Sequence, residues 1–167
     1  SQNYLYNFYA AGWAPIMNQE FHSRTDSKYD AYAWYYYYTI ISNANTIVTN
    51  IDKAQGSETE KAFIKAAALT FRAYAFEKLV HYYCLRWQDS NSGSSQGVIL
   101  RLDESIGAQK CATLTETYAQ IYKDLDEAIE LFGKSKKNRE AAEVWIPNIN
   151  VAHAIYARAA LTKQDYS

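Results

Sequence analysis

Residues 57–83 read SETEKAFIKAAALTFRAYAFEKLVHYY, and this stretch decides the fold class of the chain. Its apolar residues recur in alternating steps of four and three, which is the spacing of one helix face. The residues on this face are Ala62, Ala66, Leu69, Ala73, Phe76, Val80 and Tyr83. No glycine or proline interrupts the stretch, and Ser57 followed by Glu60 matches a capping box at its start. We therefore predict one long helix, whose many alanines let neighbouring helices approach closely.

Three further segments show the same helical spacing. The first runs from about residue 30 and ends at Gly56. The second begins with another capping box at Thr113 and ends at Gly133. The third is capped by Asn148 or Asn150. The chain is therefore predicted to contain four helices.

Helices that follow one another in sequence tend to pack as antiparallel neighbours. We predict an all-α, tetratricopeptide-like helical repeat array, with two antiparallel helix pairs and long loops, in a single domain over residues 1–167. The predicted core contains Trp34, Ile41, Ala66, Leu69, Ala73, Phe76, Ile121, Leu125 and Ala157. The predicted buried face of the last helix contains Val151, Ala154, Ile155, Ala157, Arg158 and Leu161. The predicted solvated face of the third helix contains Asp124, Asp126, Glu127 and Glu130.

Residues 86–112 form the longest polar connection between predicted helices. A loop of this length in a compact helical protein is either functional or a flexible insertion. We expect no strand in it longer than a β-bridge or a short hairpin, and we expect the apolar residues 98–100 to pack onto the core.

The composition argues against several functional classes. A net charge of -1 and a pI near 6.3 leave no basic excess for binding nucleic acid. No segment approaches the ~20 apolar residues of a membrane span. His22, His81 and His153 are scattered, and no metal, nucleophile or phosphate-binding motif accompanies them. We expect no enzyme activity and no cofactor.

Aromatic residues make up 16% of the chain, with 16 Tyr and 4 Trp. Most are expected at half-buried helix edges, since tyrosine is often only partly buried. The remainder can stack on the apolar face of a sugar ring. Trp87 follows a predicted helix end, beside the amide and carboxylate groups of Gln88, Asp89 and Asn91. We predict a sugar-binding site there, with Trp13 as a second candidate; an indole that closes over the helix end is the alternative interpretation of Trp87.

Four motifs, in order along the chain, resemble the SusD/RagB family. They are Trp34-x-x-x-Tyr38-x-x-Ile41-x-x-Ala44-Asn45, Phe71-Arg72-Ala73-Tyr74 with Leu79-Val80-x-x-Tyr83, Thr115-x-x-Tyr118-x-x-Ile121-x-x-Asp124-Leu125-x-x-Ala128-Ile129, and Ala154-x-x-Ala157-Arg158-Ala159 with Asp165-Tyr166. The chain departs from the family pattern at three positions. Ala67 replaces a common glutamate, Cys84 replaces a glycine, and Trp87 lies where a proline commonly follows.

The resemblance implies a lipid-anchored protein at the outer surface of a Bacteroidetes-like cell. Such proteins bind oligosaccharides or other nutrients without catalysis and deliver them to a TonB-dependent transporter of the SusC type. The chain is shorter than a whole family member, so the resemblance implies a fragment of a larger protein. Two alternatives stay open, a tetratricopeptide-like adaptor that binds a peptide or partner protein, and a fragment that only docks to the transporter.

Three polar side chains lie on apolar helix faces, namely Arg72, Arg158 and Asn45. We interpret Arg72 and Arg158 as structural residues that bind helix-end carbonyls or an acid such as Asp124. Asn45 is interpreted as a satisfied interhelical hydrogen bond rather than a ligand group.

Cys84 and Cys111 lie at the two ends of the long loop, where the second and third helices are expected to meet. Export to an oxidising environment would permit a disulfide between them. A free, buried Cys84 is the alternative interpretation.

Overall fold

The computed structural model describes residues 28–166, of which residues 28–30 are described by their backbone alone. The chain divides into two compact units whose boundary lies between Tyr35 and Tyr36. The packing described below belongs to the second unit. A single domain over residues 1–167 stays a prediction.

Four α-helices form the described part of the chain. They are α1 (Lys28–Asn50), α2 (Glu58–Tyr83), α3 (Leu114–Ser135) and α4 (Ile149–Lys163), with short 3₁₀ turns at Ile51–Lys53 and Trp87–Asp89. Within residues 28–166, extended structure is limited to one isolated bridge between Gln96 and Thr113. The predicted all-α class is therefore confirmed, and residues 86–112 contain no longer strand, as expected.

The helix starts follow the local capping residues. Thr113 and Glu116 form a complete capping box, in which the Thr113 hydroxyl accepts from the Glu116 backbone N–H at 3.2 Å and the Glu116 carboxylate accepts from the Thr113 backbone N–H at 2.7 Å. Ser57 and Asn148 each accept a backbone N–H three residues further on, both at 3.2 Å. These bonds satisfy donors that the first helical turn otherwise leaves unpaired.

The helix ends differ from the prediction by a few residues. α1 ends at Asn50 rather than at Gly56, because a 3₁₀ turn takes over at Ile51–Lys53. α3 continues through Gly133 to Ser135, and the left-handed residue that terminates it is Lys136, with φ of 50°. Gly56 has a φ of +145° but lies in the loop beyond the 3₁₀ turn, and Gly133 lies within α3. A glycine near the end of a periodic segment therefore does not by itself locate the last helical residue.

Helices α2 and α3 pack antiparallel and form the centre of the core. Phe63 near the start of α2 meets Phe132 near the end of α3, with ring centroids 5.5 Å apart. Seven of the nine predicted core residues are fully buried, namely Ile41, Ala66, Leu69, Ala73, Phe76, Ile121 and Leu125. The prediction was wrong for Trp34, which is half-buried, as is common for so large a side chain. It was also wrong for Ala157, which is exposed.

Helix α4 turns a different face to the core than predicted. Ala152, Ile155 and Ala159 are buried, whereas Ala154 and Ala157 are exposed and Leu161 is 63% exposed. The helix carries apolar residues on both faces, so its periodicity alone could not select the buried one. Packing selects it: Tyr156 stacks on Tyr122 of α3 at 4.9 Å.

A buried ion pair joins α2 to α3. Arg72 donates to both carboxylate oxygens of Asp124, at 2.8 and 2.7 Å, and also to the side-chain oxygen of Asn45 at 2.9 Å. Gln120 adds a fourth bond, to Asp124 at 2.7 Å. The structural interpretation of Arg72 and Asn45 is confirmed. The expectation that Asp124 lies on a solvated face was wrong, because the carboxylate turns inward to this guanidinium.

A second ion pair joins α2 to α4. Arg158 donates from Nε and Nη2 to the two carboxylate oxygens of Glu77, each at 2.7 Å. The Glu77 side chain is 1% exposed, whereas that of Arg158 is 38% exposed. His81 Nε2 lies 3.3 Å from the same carboxylate. The structural interpretation of Arg158 is confirmed.

The long loop between α2 and α3 is tied to α1 and to the start of α3. Gly97 and Ala112 lie on opposite sides of a short antiparallel pairing, where Gly97 N–H donates to the Ala112 carbonyl at 2.7 Å. The Tyr38 hydroxyl donates to the Ile99 carbonyl at 2.8 Å and accepts from the Ile99 N–H at 2.9 Å. Val98 is fully buried, so this part of the loop packs onto the core as predicted.

Candidate functional site

A groove lies where the loop leaves α2 and passes the C-terminal end of α4. It has a volume of about 340 Å³. Apolar walls come from Val80, Leu85, Leu161 and the ring of Trp87, and polar groups at its rim include Gln88 and Gln164. The groove combines an apolar floor with amide groups, which is the usual construction of a small-molecule site.

Trp87 is held rigidly at the edge of this groove. Its ring packs edge-to-face against Tyr118, with centroids 5.7 Å apart and an interplanar angle of 85°. On another side the ring lies against Gly93, where an added Cβ would come within 2.5 Å of the indole. Gly93 also has a φ of +80°, so both the backbone and the space require glycine there. Lys163 places its ammonium 5.5 Å from the indole centroid.

The side chains that flank Trp87 in sequence separate in the structure. Gln88 lines the groove and accepts a bond from the Gln164 amide at 3.3 Å. Asp89 pairs with Arg86 Nε at 2.7 Å, and neither Asp89 nor the exposed Asn91 lines the groove. The Trp87 ring is half-buried rather than fully exposed, so it both covers the helix end and borders the groove. The other candidate, Trp13, lies outside the described residues.

A comparison with protein families matches residues 2–161 to a SusD-like family described as starch-binding and associating with the outer membrane. The chain belongs to this SusD-like family. No curated protein matches the sequence significantly.

Solved structures of similar fold come from Bacteroides. A putative sugar-binding protein from Bacteroides vulgatus ATCC 8482 is 27% identical over 81% of this chain, with a TM-score of 0.72. A SusD-like carbohydrate-binding protein from the same strain is 24% identical over 81% of the chain, with a TM-score of 0.73. A SusD superfamily protein from Bacteroides thetaiotaomicron VPI-5482 is 22% identical over 80%, with a TM-score of 0.68. This SusD-like chain spans only 30%, 28% and 28% of those three proteins, respectively.

Two groove residues of the SusD-like chain escaped the sequence analysis of the site. Tyr118 supports the indole from α3, and Gln164 meets Gln88 from the end of α4. Both are far from Trp87 in sequence, so no local pattern joins them. The sequence does place Tyr118 on the same face of the third helix as the predicted core residues Ile121 and Leu125.

The two thiols of the SusD-like chain are free in this structure. Cys84 caps α2 and lines the groove. Burial, and next the charge of a Cys111 thiolate, raise the pKa of the Cys84 thiol to about 11. Cys111 is exposed and accepts a hydrogen bond from Gln96 Nε2 at 3.3 Å. The disulfide between them stays a prediction for the oxidised protein.

The buried carboxylates of the SusD-like chain are occupied by structural partners. Asp124 is bonded to Arg72, and Glu77 is bonded to Arg158. Among residues 28–166, no three potential ligands are grouped as a metal site would need. In the same residues, no helix is both long and apolar enough to cross a bilayer. The groove offers an aromatic surface for stacking and amides for hydrogen bonding; of the two basic residues on its lining, Arg86 is paired with Asp89 and His81 lies beside Glu77.

Proposed function

We propose that this chain is a non-catalytic glycan-binding component of an outer-membrane nutrient-uptake system. The observation that carries the proposal is the braced indole of Trp87 at the edge of a groove of about 340 Å³. Because Tyr118 and Gly93 already fix the ring, a ligand does not have to order it on binding. Preorganisation of this kind lowers the entropic cost of association.

The groove chemistry fits a sugar better than a purely apolar or a charged ligand. A pyranose ring presents C–H groups on its faces, which pack against an indole and against aliphatic walls such as Leu85 and Leu161. Its edges carry hydroxyls, which both donate and accept, as do the amides of Gln88 and Gln164. The volume also falls in the ordinary range of small-molecule sites, about 300–1,000 Å³.

The cellular part of the proposal follows from family membership. The SusD-like family is described as starch-binding and as associating with the outer membrane. We extend this to a lipid-anchored protein at the cell surface, which passes oligosaccharide to a SusC-like TonB-dependent transporter. Labelling of intact cells with an impermeant reagent and co-purification with the transporter test the two parts separately.

A titration with neutral oligosaccharides tests the binding site. Fragments of starch, xylan, mannan and galactan are titrated by calorimetry against wild type, Trp87→Ala and Trp87→Phe. We expect Trp87→Ala to weaken binding of the best ligand about tenfold, as for a typical anchor residue. Trp87→Phe keeps an aromatic plane against Tyr118 and should retain most of the affinity.

The control is Ile106→Ala, since Ile106 is 97% exposed and borders a different cavity. Its affinity should equal that of wild type. Absence of binding to every fragment, or equal affinity of Trp87→Ala and wild type, would contradict this site. Release of reducing sugar by the purified protein, lost on replacement of a single Asp or Glu, would contradict its non-catalytic character.

A further inference from the structure

Two adjoining cavities lie beside α2 at the N-terminal half of α4, away from the Trp87 groove. Their volumes are about 390 and 160 Å³, and both are lined by Tyr74, Arg139, Val151 and Ile155. The α2–α4 contact line separates them from the Trp87 groove, because Arg158 bonds Glu77 between the two. This feature played no part in the sequence analysis.

An exposed indole borders the smaller cavity. Trp145 is 68% exposed, although it lies in a loop whose backbone is fixed. Arg139 Nη1 donates to the carbonyls of Val144 and Ile146, each at 2.9 Å, and so clamps the residues on both sides of Trp145. Phe71 and Tyr74 of α2 provide further aromatic surface in the same cavity. An exposed aromatic plane on a clamped backbone is suited to stack on a ligand ring.

The cavities contain an excess of positive charge. Arg158 and Lys78 place their charged groups 5.5 and 5.6 Å from the centroid of the Tyr74 ring, and Arg139 lines both cavities. Glu77 is the carboxylate that pairs with Arg158 and lies 3.8 Å from Lys78, and Lys78 itself lines neither cavity. No Asp or Glu lines either cavity within the part of the chain that the structure describes.

Two guanidinium groups at this place keep unused donors. Arg158 bonds Glu77 through Nε and Nη2, which leaves Nη1 without an acceptor among residues 28–166. Arg139 uses Nη1 for its two carbonyls, so its Nε and Nη2 have no acceptor in the described residues. Guanidinium donors in a fixed fork match the geometry of a carboxylate.

We propose that these cavities form a second glycan site, selective for a uronic acid residue, whose ring stacks on Trp145 and whose carboxylate binds Arg139 and Arg158. The inference rests on the proposed glycan-binding function but not on the Trp87 groove. Asn150, which also lines the larger cavity, provides an amide for ring hydroxyls. The ligand class is thus an acidic polysaccharide fragment rather than a neutral one.

The test uses oligogalacturonides and the same oligosaccharides after carboxyl reduction, titrated against wild type, Trp145→Ala and Arg139→Gln. Wild type should bind the acidic form at least tenfold more tightly, because a charge-assisted bond is worth about that factor. Trp145→Ala should weaken both forms about tenfold, since stacking does not depend on the carboxylate. Arg139→Gln also loosens the Trp145 loop, so its decisive readout is the ratio of the two affinities, which should fall about tenfold.

Tyr166→Ala serves as the control, because Tyr166 is another exposed aromatic residue, 76% exposed, that lines neither cavity. Equal binding of the acidic and reduced forms to wild type, or undiminished binding to Trp145→Ala, would overturn the second site. Neutral binding lost in Trp87→Ala without an acidic preference leaves the proposed function in place and rejects this inference. Acidic binding without any effect of Trp87→Ala on neutral sugars supports this inference and the glycan-binding function, and rejects only the Trp87 groove as a binding site.

Discussion

The Arg72–Asp124 and Arg158–Glu77 ion pairs, which join α2 to α3 and to α4, differ in how completely they are enclosed. Arg72 and Asp124 have side-chain exposures of 7% and 1%, and Asn45 and Gln120 add bonds to the same pair. Arg158 is 38% exposed and leaves one nitrogen unbonded among the described residues, although its partner Glu77 is as deeply buried as Asp124. The same bidentate geometry therefore uses every nitrogen of Arg72 between α2 and α3, but leaves Nη1 of Arg158 available between α2 and α4.

The largest effect should follow replacement of Arg72 by leucine. The change leaves the Asp124 carboxylate buried without its cation, which typically costs about 3–5 kcal/mol. Chemical denaturation should show this loss in the free energy of unfolding. The matched control is Arg86→Leu, whose pair with Asp89 is exposed and should be worth less than about 1 kcal/mol. Similar losses for both variants would remove the distinction between enclosed and open pairs.

The next largest loss of stability should come from a buried leucine of α3, and an exposed leucine of α4 provides the comparison. Leu125 is fully buried, and Leu125→Ala should destabilise the protein by about 2–5 kcal/mol. Leu161 is 63% exposed, and Leu161→Ala should cost less than about 0.5 kcal/mol. Thermal or denaturant unfolding measures both. A cost for Leu161→Ala comparable to that of Leu125→Ala would mean that α4 buries the face predicted from the sequence.

An intermediate effect is expected for Arg158→Met. Glu77 loses its bidentate partner but keeps His81 at 3.3 Å and Lys78 at 3.8 Å. The loss should therefore be about 1–3 kcal/mol, the usual cost of a buried group left partly unsatisfied. Denaturation of this variant beside Arg72→Leu sharpens the comparison directly. A loss larger than that of Arg72→Leu would show that the open pair carries more of the stability.

The smallest change concerns thiol reactivity and leaves the fold intact. The pKa of Cys84 is raised to about 11, so very little thiolate is present near pH 8. Alkylation of the reduced native protein should modify the exposed Cys111 at least tenfold faster than Cys84. Mass spectrometry of the peptides measures the two rates, and thiol counting on unreduced, unfolded protein detects the predicted disulfide. Equal rates would place the Cys84 thiol in solvent.

Local patterns account for most of what the sequence predicted correctly. The capping boxes and the three-and-four spacing of α2 and α3 depend on residues within one or two turns of each other, so they are readable without tertiary information. Six of the seven confirmed core residues follow from them, and the fold class and Ile41 follow once the same spacing is read in α1. The position of Trp87 just past a helix end is also a local pattern, and its role in binding sugar stays a prediction.

Contacts between distant elements account for the errors. Asp124 is three residues after Ile121 and four before Ala128, so helical spacing places it on the buried face of α3, unlike the exposed Asp126. It was grouped with its acidic neighbours because its partner Arg72 lies 52 residues away in sequence. The buried face of α4 depends on where Tyr122 and Glu77 lie. Trp145 was overlooked because its loop has no periodicity. The hydrogen bonds from Arg139 that hold the backbone around Trp145 are visible only in the structure.

The hydrogen bonds that hold the long loop between α2 and α3 also have a practical use in protein engineering. Tyr38 and Asn45 hold the backbone of residues 99–103, and the pairing of Gly97 with Ala112 holds its return. Residues 108–110, between these fixed points, are exposed, and the neighbouring Gly107 has open space around it. We expect an epitope or a fluorescent reporter inserted at 108–110 to leave the helix packing, the Trp87 groove and the two cavities near Trp145 unchanged, since exposed loop backbone tolerates insertion. The loop thus gives a position at which we expect a tag to leave the helix packing unchanged.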